Sequence, residues 1–201
     1  MKKILLFLLG ISLLSCGNNN TGSAPVTADL AGYSVSDFPG GMVKKAMRTD
    51  GAGAIQEEGE ILNGVKNGTW ITYYTEDDRV KSITNYVNGK KNGLHMELNN
   101  RGQVELQCYY ADDVLDGKWA KYKFGSRPEK EVTYKMGNFD GVYKEYHSNG
   151  KLQKEIHYKD GVQHGSFKQY NDQEQLVMEY EYDNGKKVSG GIITPPAGEG
   201  E

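Results

Sequence analysis

Residues 137–161 read GNFDGVYKEYHSNGKLQKEIHYKDG, a stretch that begins and ends with the same kind of glycine turn. The motif GxxxG that opens it recurs along the chain, and the successive steps are 25, 24, 24, 24 and 24 residues. Asp113 stands in place of the first glycine of one copy, and Ser189 replaces the second glycine of the last copy. A register this constant predicts a repeat architecture, in which each unit buries apolar surface against its neighbours.

Each unit is interpreted as a β-hairpin, because Leu152, Ile156 and Tyr158 alternate with polar residues at a period of two. Turn signals such as Asn149-Gly150 lie midway in the units. The motif glycines are predicted to lie in turns that need a positive φ or close backbone approach. These repeat-turn glycines are Gly64, Gly68, Gly89, Gly93, Gly117, Gly137, Gly141, Gly161, Gly165 and Gly185. The predicted fold is all-β: an elongated single-sheet array of antiparallel β-hairpin repeats of about 24 residues.

Aromatic residues keep fixed positions relative to these glycines. The candidate aromatic face, two and five residues after the second glycine, consists of Trp70, Tyr73, Trp119, Tyr122, Tyr143, Tyr146, Phe167 and Tyr170. A tyrosine also stands three residues before the first glycine of each following turn, at Tyr86, Tyr110, Tyr134, Tyr158 and Tyr182. Positions two and five after the glycine are an odd number of residues apart, so their side chains should point to opposite faces of a regular strand. Either a bulge brings them to one face, or both faces of the sheet carry aromatic residues. The rings form a ladder that stacks one hairpin on the next, or a groove for glycan, lipid or an extended peptide.

The pattern GxxxGxWxxYY, as in GVKNGTWITYY at residues 64–74, is followed by YxxG, as in YVNG at residues 86–89. This combination resembles the MORN-repeat variant of many bacterial exported proteins, over roughly residues 60–190. The resemblance implies an elongated sheet of antiparallel hairpins that serves as a binding or scaffold module. Related chains are often labelled as antitoxins. The departures, which put local strand pairing in doubt, are His95 at an aromatic position, Asp113, Pro128 and Ser189.

The chain begins MKKILLFLLGISLLSCGNNNTG, in which two lysines precede an apolar run that is too short to span a bilayer. This pattern predicts an export signal at residues 1–15, and LLSC resembles the lipobox of bacterial lipoproteins. Cys16 is therefore the predicted lipid anchor; the alternatives are an ordinary signal peptide or a buried N-terminal helix. The lipid would attach the protein to a membrane of the cell envelope, outside the cytoplasm. Because Gly17 gives no acidic retention signal, the outer membrane is favoured in an organism that has one.

The chain after the export signal is predicted to divide into four segments. Residues 16–39 are the lipidated cysteine and a flexible tether rich in Asn, Thr, Ser, Gly and Ala. Residues 40–63 are a degenerate capping repeat, in which Gly53 lies in the hairpin turn. The MORN-like repeat domain spans residues 64–191, and residues 192–201 form a disordered tail that contains two prolines.

Charge content argues against binding to nucleic acid and against adhesion by charge to anionic lipid, and cysteine content bears on disulfides. Removal of Lys2 and Lys3 with the signal lowers the basic residues from 24 to 22, against 27 acidic residues, for a net charge of −5. Such a chain is a poor candidate for binding nucleic acid. With Cys16 lipidated, Cys108 is the remaining cysteine, so an intramolecular disulfide is excluded.

The sequence gives no signal for catalysis, a metal or a cofactor. The histidines His95, His147, His157 and His164 do not converge with a paired carboxylate in the repeat frame. Asp77-Asp78 and Asp112-Asp113 lack the alternating ligands of a calcium loop. The GxxxG spacing fits neither a phosphate loop nor a dinucleotide fingerprint. Cys108 shares its frame position with Thr84 and Val132, which predicts a packed core thiol.

Three functional hypotheses remain. The first is a membrane-anchored envelope lipoprotein whose repeats bind another envelope protein or act as a scaffold. The second is an antitoxin-like or immunity protein that antagonises a toxin or effector, and the third is a glycan- or lipid-binding aromatic face. Self-association through the sheet edges is a further possibility, although Lys186 and Lys187 are expected to discourage edge pairing.

Overall fold

The computed structural model describes residues 30–38 and 41–194. These residues form one open sheet of fourteen antiparallel strands, whose order in the sheet is their order in the chain. The predicted all-β array of hairpins is confirmed. The strands are β1 (Ser34–Asp37), β2 (Val43–Thr49), β3 (Ile55–Leu62), β4 (Val65–Tyr73), β5 (Val80–Val87), β6 (Lys90–Leu98), β7 (Val104–Ala111), β8 (Val114–Lys123), β9 (Arg127–Lys135), β10 (Asn138–Tyr146), β11 (Leu152–Lys159), β12 (Val162–Tyr170), β13 (Leu176–Asp183) and β14 (Lys186–Ile192).

The first glycine of each motif lies in a two-residue turn at one edge of the sheet, here called the tight-turn edge. In the turn between β5 and β6, Asn88 has φ 50° and Gly89 has φ 83°. Positive φ at both central residues defines a type I′ turn, whose twist matches that of the flanking strands. Among the described residues, six turns have this geometry, namely Asn63-Gly64, Asn88-Gly89, Asp112-Asp113, Met136-Gly137, Asp160-Gly161 and Asn184-Gly185.

The second glycine of each motif lies inside a strand, not in a turn, and its positive φ forms a bulge. Along β5 and β6, Tyr86 pairs with Lys91 and Thr84 pairs with His95, so one residue of β5 between these pairs lies opposite three residues of β6. Gly93, with φ 98°, is one of the residues between these pairs. The same shift occurs at Gly68, Gly117, Gly141 and Gly165.

Backbone hydrogen bonds join each tight turn to the repeat before it. The amide of Gly161 donates to the carbonyl of Phe139 at 2.8 Å, which joins one turn to the strand that leaves the preceding turn. Equivalent bonds of 2.8–2.9 Å come from the amides of Gly89, Asp113, Gly137 and Gly185. The near-constant step thus has a physical cause, because each tight turn is bonded to the repeat before it.

The N-terminal segment differs from its prediction as a tether. Ser34–Asp37 form strand β1, which pairs with β2. Tyr33 packs against Trp70 with ring centroids 5.9 Å apart, and its hydroxyl donates to Glu57. These contacts order a segment whose serines suggest a linker.

The other segments are partly described. In the predicted capping repeat, β2 and β3 form a hairpin, and Gly53 has φ 93° in its turn. In the predicted tail, Ile192 is the last residue of β14. The predicted signal peptide, Cys16, Gly40 and residues 195–201 lie outside the described residues.

Candidate functional site

One face of the sheet carries a continuous row of directly paired side chains, and we call it the ladder face. Residues opposite one another in antiparallel strands share a face. The row consists of Val35, Ala46, Gly59, Trp70, Thr84, His95, Cys108, Trp119, Val132, Tyr143, Ile156, Phe167, Tyr180 and Gly190. Most large members lie on even-numbered strands, and small or β-branched members lie between them.

This alternation forms the core of the repeat array. Thr84, Cys108 and Val132, each between two larger side chains, are 6%, 1% and 5% exposed. Trp70 packs over Gly59, where a Cβ atom would clash with the indole ring, and its Nε1 donates to the carbonyl of Glu60 at 2.9 Å. The middle of the ladder face is thus filled by its own side chains.

A second row on the ladder face explains the tyrosine before each turn. Tyr86, Tyr110, Tyr134, Tyr158 and Tyr182 each pair with the bulge glycine of the preceding strand. Phe139 lies between two of these rings, 5.0 Å from Tyr134 and 5.2 Å from Tyr158. Burial raises the pKa of Tyr110 to about 12. The glycine and the tyrosine therefore belong to one packing unit.

The opposite face carries the tyrosines five residues after the bulge glycines. Tyr73 donates to Glu58 at 2.7 Å, and Glu58 points away from the face that holds its neighbour Gly59. Tyr146 likewise donates to Glu131 at 2.6 Å. The eight residues of the candidate aromatic face are therefore divided: Trp70, Trp119, Tyr143 and Phe167 lie on the ladder face, and Tyr73, Tyr122, Tyr146 and Tyr170 lie opposite.

Each of these tyrosines pairs with an aliphatic or proline residue at the start of the next strand. The pairs form a half-buried stripe, and we call this side of the sheet the stripe face. The stripe consists of Tyr73 and Val80, Leu98 and Val104, Tyr122 and Pro128, Tyr146 and Leu152, and Tyr170 and Leu176. Burial and the hydrogen bond to Glu58 raise the pKa of Tyr73 to about 12. The hydrogen bonds from Lys45 and Tyr73 lower the pKa of Glu58.

The central row of the stripe face changes from apolar to charged along the sheet. Ile71, Ile83 and Met96 pair in succession, followed by Gln107 and Ala120. The row continues with Glu131, Lys144, Glu155, Lys168 and Glu179. Lys144 lies 3.8 Å from Glu155, and Lys168 lies 3.5 Å from Glu179. The row thus offers an apolar half and a half of alternating charge.

A cavity of about 370 Å³ lies at the junction of the two halves. Ala120, the smallest side chain of the row, is flanked by Gln107 and Glu131. The cavity is also lined by Lys118, Trp119, Tyr122, Val132, Thr133, Val142 and Lys144. Its combination of one tyrosine, two lysines and a carboxylate can accept a polar group beside an apolar ring.

No other element covers the stripe face within residues 30–38 and 41–194. Strands with substantial contacts are neighbours in the chain, and the described part of the protein forms one layer. Ile71, Ile83 and Met96 are therefore half-buried by their neighbours in the same sheet. The stripe face is therefore open, and the ladder face differs from it in that its central side chains pack against one another.

The titratable groups do not converge on a catalytic arrangement in the described residues. The histidines contact separate partners: His95 contacts Thr84 and Glu97, His147 the carbonyl of Tyr170, His157 Ser166, and His164 Asp183. Burial raises the pKa of the Cys108 thiol, which disfavours the nucleophilic thiolate. Residues 30–38 and 41–194 contain no group of three or more His, Cys, Asp or Glu residues able to hold a metal. The described part of the chain also contains no helix long and apolar enough to cross a membrane.

Sequence reasoning missed the stripe-face residues Gln107, Ala120, Glu131 and Lys144. A signal for them exists, because each lies one residue before or after a ladder position and must therefore face the other side of its strand. The ladder positions were in turn visible from the repeat. The cavity itself depends on the side-chain sizes of three adjacent strands, which no single repeat reveals.

A comparison with protein families agrees with the repeat architecture. A MORN repeat variant is found at residues 139–160, within the hairpin of β10 and β11. A search of curated proteins gave no match. Among solved structures, the chain is similar to one titled "Crystal structure of GtfA/B complex bound to UDP and GlcNAc", at 14% identity and a TM-score of 0.21. That alignment covers 82% of this chain and 28% of the other. The repeat and the sheet suggest a binding or scaffold module.

Proposed function

We propose that this protein is a membrane-anchored lipoprotein of the cell envelope whose repeat sheet is a non-catalytic protein-binding or scaffold module. The observation that carries the proposal is the open stripe face. A one-layer sheet offers a long surface, the side chains of its ladder face already pack on one another, and the described titratable groups offer no catalytic arrangement.

The stripe face has the chemistry of a protein contact surface. Its apolar half and its tyrosines supply apolar surface that is dehydrated when a partner binds. The charged half determines the position and orientation of that partner. The cavity over Ala120 can receive one side chain of the partner. We place the partner in the envelope because the predicted lipid on Cys16 would hold the sheet there.

Anchoring is tested by the variant Cys16→Ala. We expect the chain that retains Cys16 to fractionate with membranes and to incorporate a labelled fatty acid. The variant should not incorporate the label and should appear in the soluble fraction. The sheet itself should be unaffected, because Cys16 precedes the described residues. Retention of the unlabelled variant in the membrane would contradict anchoring by lipid.

Binding is tested by chemical cross-linking of the full lipidated chain in cells, followed by capture and mass spectrometry. A reproducible envelope protein is the expected product. A captured toxin or effector would instead favour the antagonist function suggested by the resemblance to antitoxin-labelled chains. Recovery of the chain without a protein would favour the glycan- or lipid-binding alternative, for which Tyr122 beside the polar groups of the cavity is the supporting feature.

A further inference from the structure

The two terminal strands of the described sheet are complementary halves of one repeat. A complete unit consists of a strand that leaves a tight turn, such as β12, and a return strand, such as β13. Strand β14 leaves the tight turn Asn184-Gly185 but has no return strand among the described residues. Strand β1 occupies the place of a return strand beside β2, and no described strand lies on its other side.

The strand directions of these halves match. Strand β14 begins at the tight-turn edge with Lys186, and β1 ends at that edge, since Asp37 pairs with Lys44 near the start of β2. An even number of strands in one antiparallel sheet makes the first and the last strand run in opposite directions. Placing β1 of a second copy beside β14 would therefore continue the antiparallel pattern.

Exposed apolar side chains mark both ends of the sheet. On the β1 side, Val35 is 45% exposed and Met42 is 82% exposed. On β14, Val188 is 59% exposed and Ile192 is 79% exposed. In the interior of the sheet, the corresponding ladder residues have a paired residue on each neighbouring strand. The two ends thus present apolar surface where the interior of the array has a partner.

At β14, the ladder row ends in a glycine, which has no side chain. Gly190 lies opposite Tyr180, in the place where β4, β6, β8, β10 and β12 carry Trp, His, Trp, Tyr and Phe. The ammonium of Lys187 lies over the Tyr180 ring at 3.6 Å, so this charge is directed onto the ladder face instead of across the open edge. Asp37 of another copy would arrive at the same tight-turn edge as Lys186.

We propose that copies of this chain associate head to tail, with β14 of one copy pairing with β1 of the next to complete a repeat and extend the sheet. The repeat frame sets the register, because the ladder residues Gly190 and Val35 face each other across the junction, which places Ser189 opposite Ser36. Such a contact joins two different surfaces, so it generates rings or open chains of copies and not a two-fold dimer. This self-assembly goes beyond the proposed partner binding and uses a different surface.

Paired cysteines in the full lipidated chain test the junction. Opposite residues in adjacent strands are close enough for a disulfide. On mild oxidation of membranes that hold Ser36→Cys/Ser189→Cys, we expect a ladder of dimers, trimers and larger species. Each single variant alone should give no product, and a mixture of the two single variants should stop at the dimer. Cys108 is 1% exposed and does not compete for oxidation.

Two controls make the result specific. The pair Asn149→Cys/Ser189→Cys, whose first cysteine lies in an exposed loop, should give no ladder. Adding Val188→Lys and Ile192→Lys, both at exposed positions, should lower the yield of the junction ladder at least tenfold. Absence of the ladder from the Ser36→Cys/Ser189→Cys chain would overturn the proposal. Equal cross-linking of either single variant would also overturn it, since that result joins like edges. Neither outcome depends on an envelope partner, so the proposed function is tested separately.

Discussion

A single backbone position in each unit determines whether the turns can stack, and Gly141 shows why. It has φ 118°, and a Cβ atom there would lie 3.2 Å from the Cβ of Thr133. A side chain at this position therefore meets both backbone strain and a neighbouring strand. At this bulge Gly141 lies opposite Tyr158, which precedes the tight turn Asp160-Gly161.

We expect Gly141→Val to lower the free energy of unfolding by about 2–5 kcal/mol, the sum of backbone strain and overpacking. The matched control is Gly102→Val, because Gly102 has φ 74° in a loop where a Cβ would meet nothing within 4 Å. That control should lose about 1–2 kcal/mol from strain alone. Urea unfolding followed by circular dichroism measures both values. Equal stability of the two variants would contradict the role assigned to the bulge.

Among the elements, the tight turn Met136-Gly137 departs from the rule that the other turns follow. Met136 has φ 49° and is 76% exposed, whereas the equivalent residues are Asn or Asp. Asn and Asp tolerate this left-handed conformation better than Met. The backbone amide of Met136 donates to Asp116 at 3.0 Å, a bond that any side chain at 136 permits.

We therefore expect Met136→Asn to raise the free energy of unfolding by about 0.5–1 kcal/mol. The converse change, Asn88→Met, should lower it by a similar amount, because Asn88 has φ 50° in the equivalent turn. Thermal unfolding of the two variants and the unmodified chain gives the comparison. A destabilised Met136→Asn chain would show that the methionine has a packing role that outweighs its backbone cost.

The elements also show how far sequence reasoning reaches. The hairpins were predictable, because Leu152 and Ile156 alternate with polar residues and the glycines repeat every 24 residues. Strand β1 was not, because its sequence SVSD carries one apolar residue, and its order depends on Tyr33 meeting Trp70. The division of the aromatic residues between two faces was left open, because spacing alone does not reveal the register across a bulge.

For the whole molecule, burial of many tyrosines predicts a stability that depends on alkaline pH. Burial raises the pKa of Tyr73 and Tyr110 from the ordinary value of 10.0 to about 12, and it also raises the pKa of Tyr33 and Tyr146. A pKa raised in the folded state contributes stability that is complete below pH 10 and is lost as the pH rises through 12.

We expect the free energy of unfolding to fall steeply between pH 10 and pH 12. Phenolate absorbance of the native protein should develop later than that of the urea-unfolded chain. Tyr73→Phe removes one of the responsible groups and should make the fall shallower. Superimposable phenolate titrations of the native and unfolded chains would contradict the burial described for these rings.

The proposed function requires that the stripe face bind a protein. Site-specific photo-cross-linking in cells tests it, with the photoreactive residue placed at position 118 or position 121 of the full chain. Both are exposed lysines of β8, but Lys118 lies on the stripe face beside the cavity and Lys121 lies on the ladder face. We predict a discrete cross-linked protein from position 118 and little or none from position 121. Equal cross-linking from both positions, or a product from position 121 alone, would contradict the assignment of the binding surface.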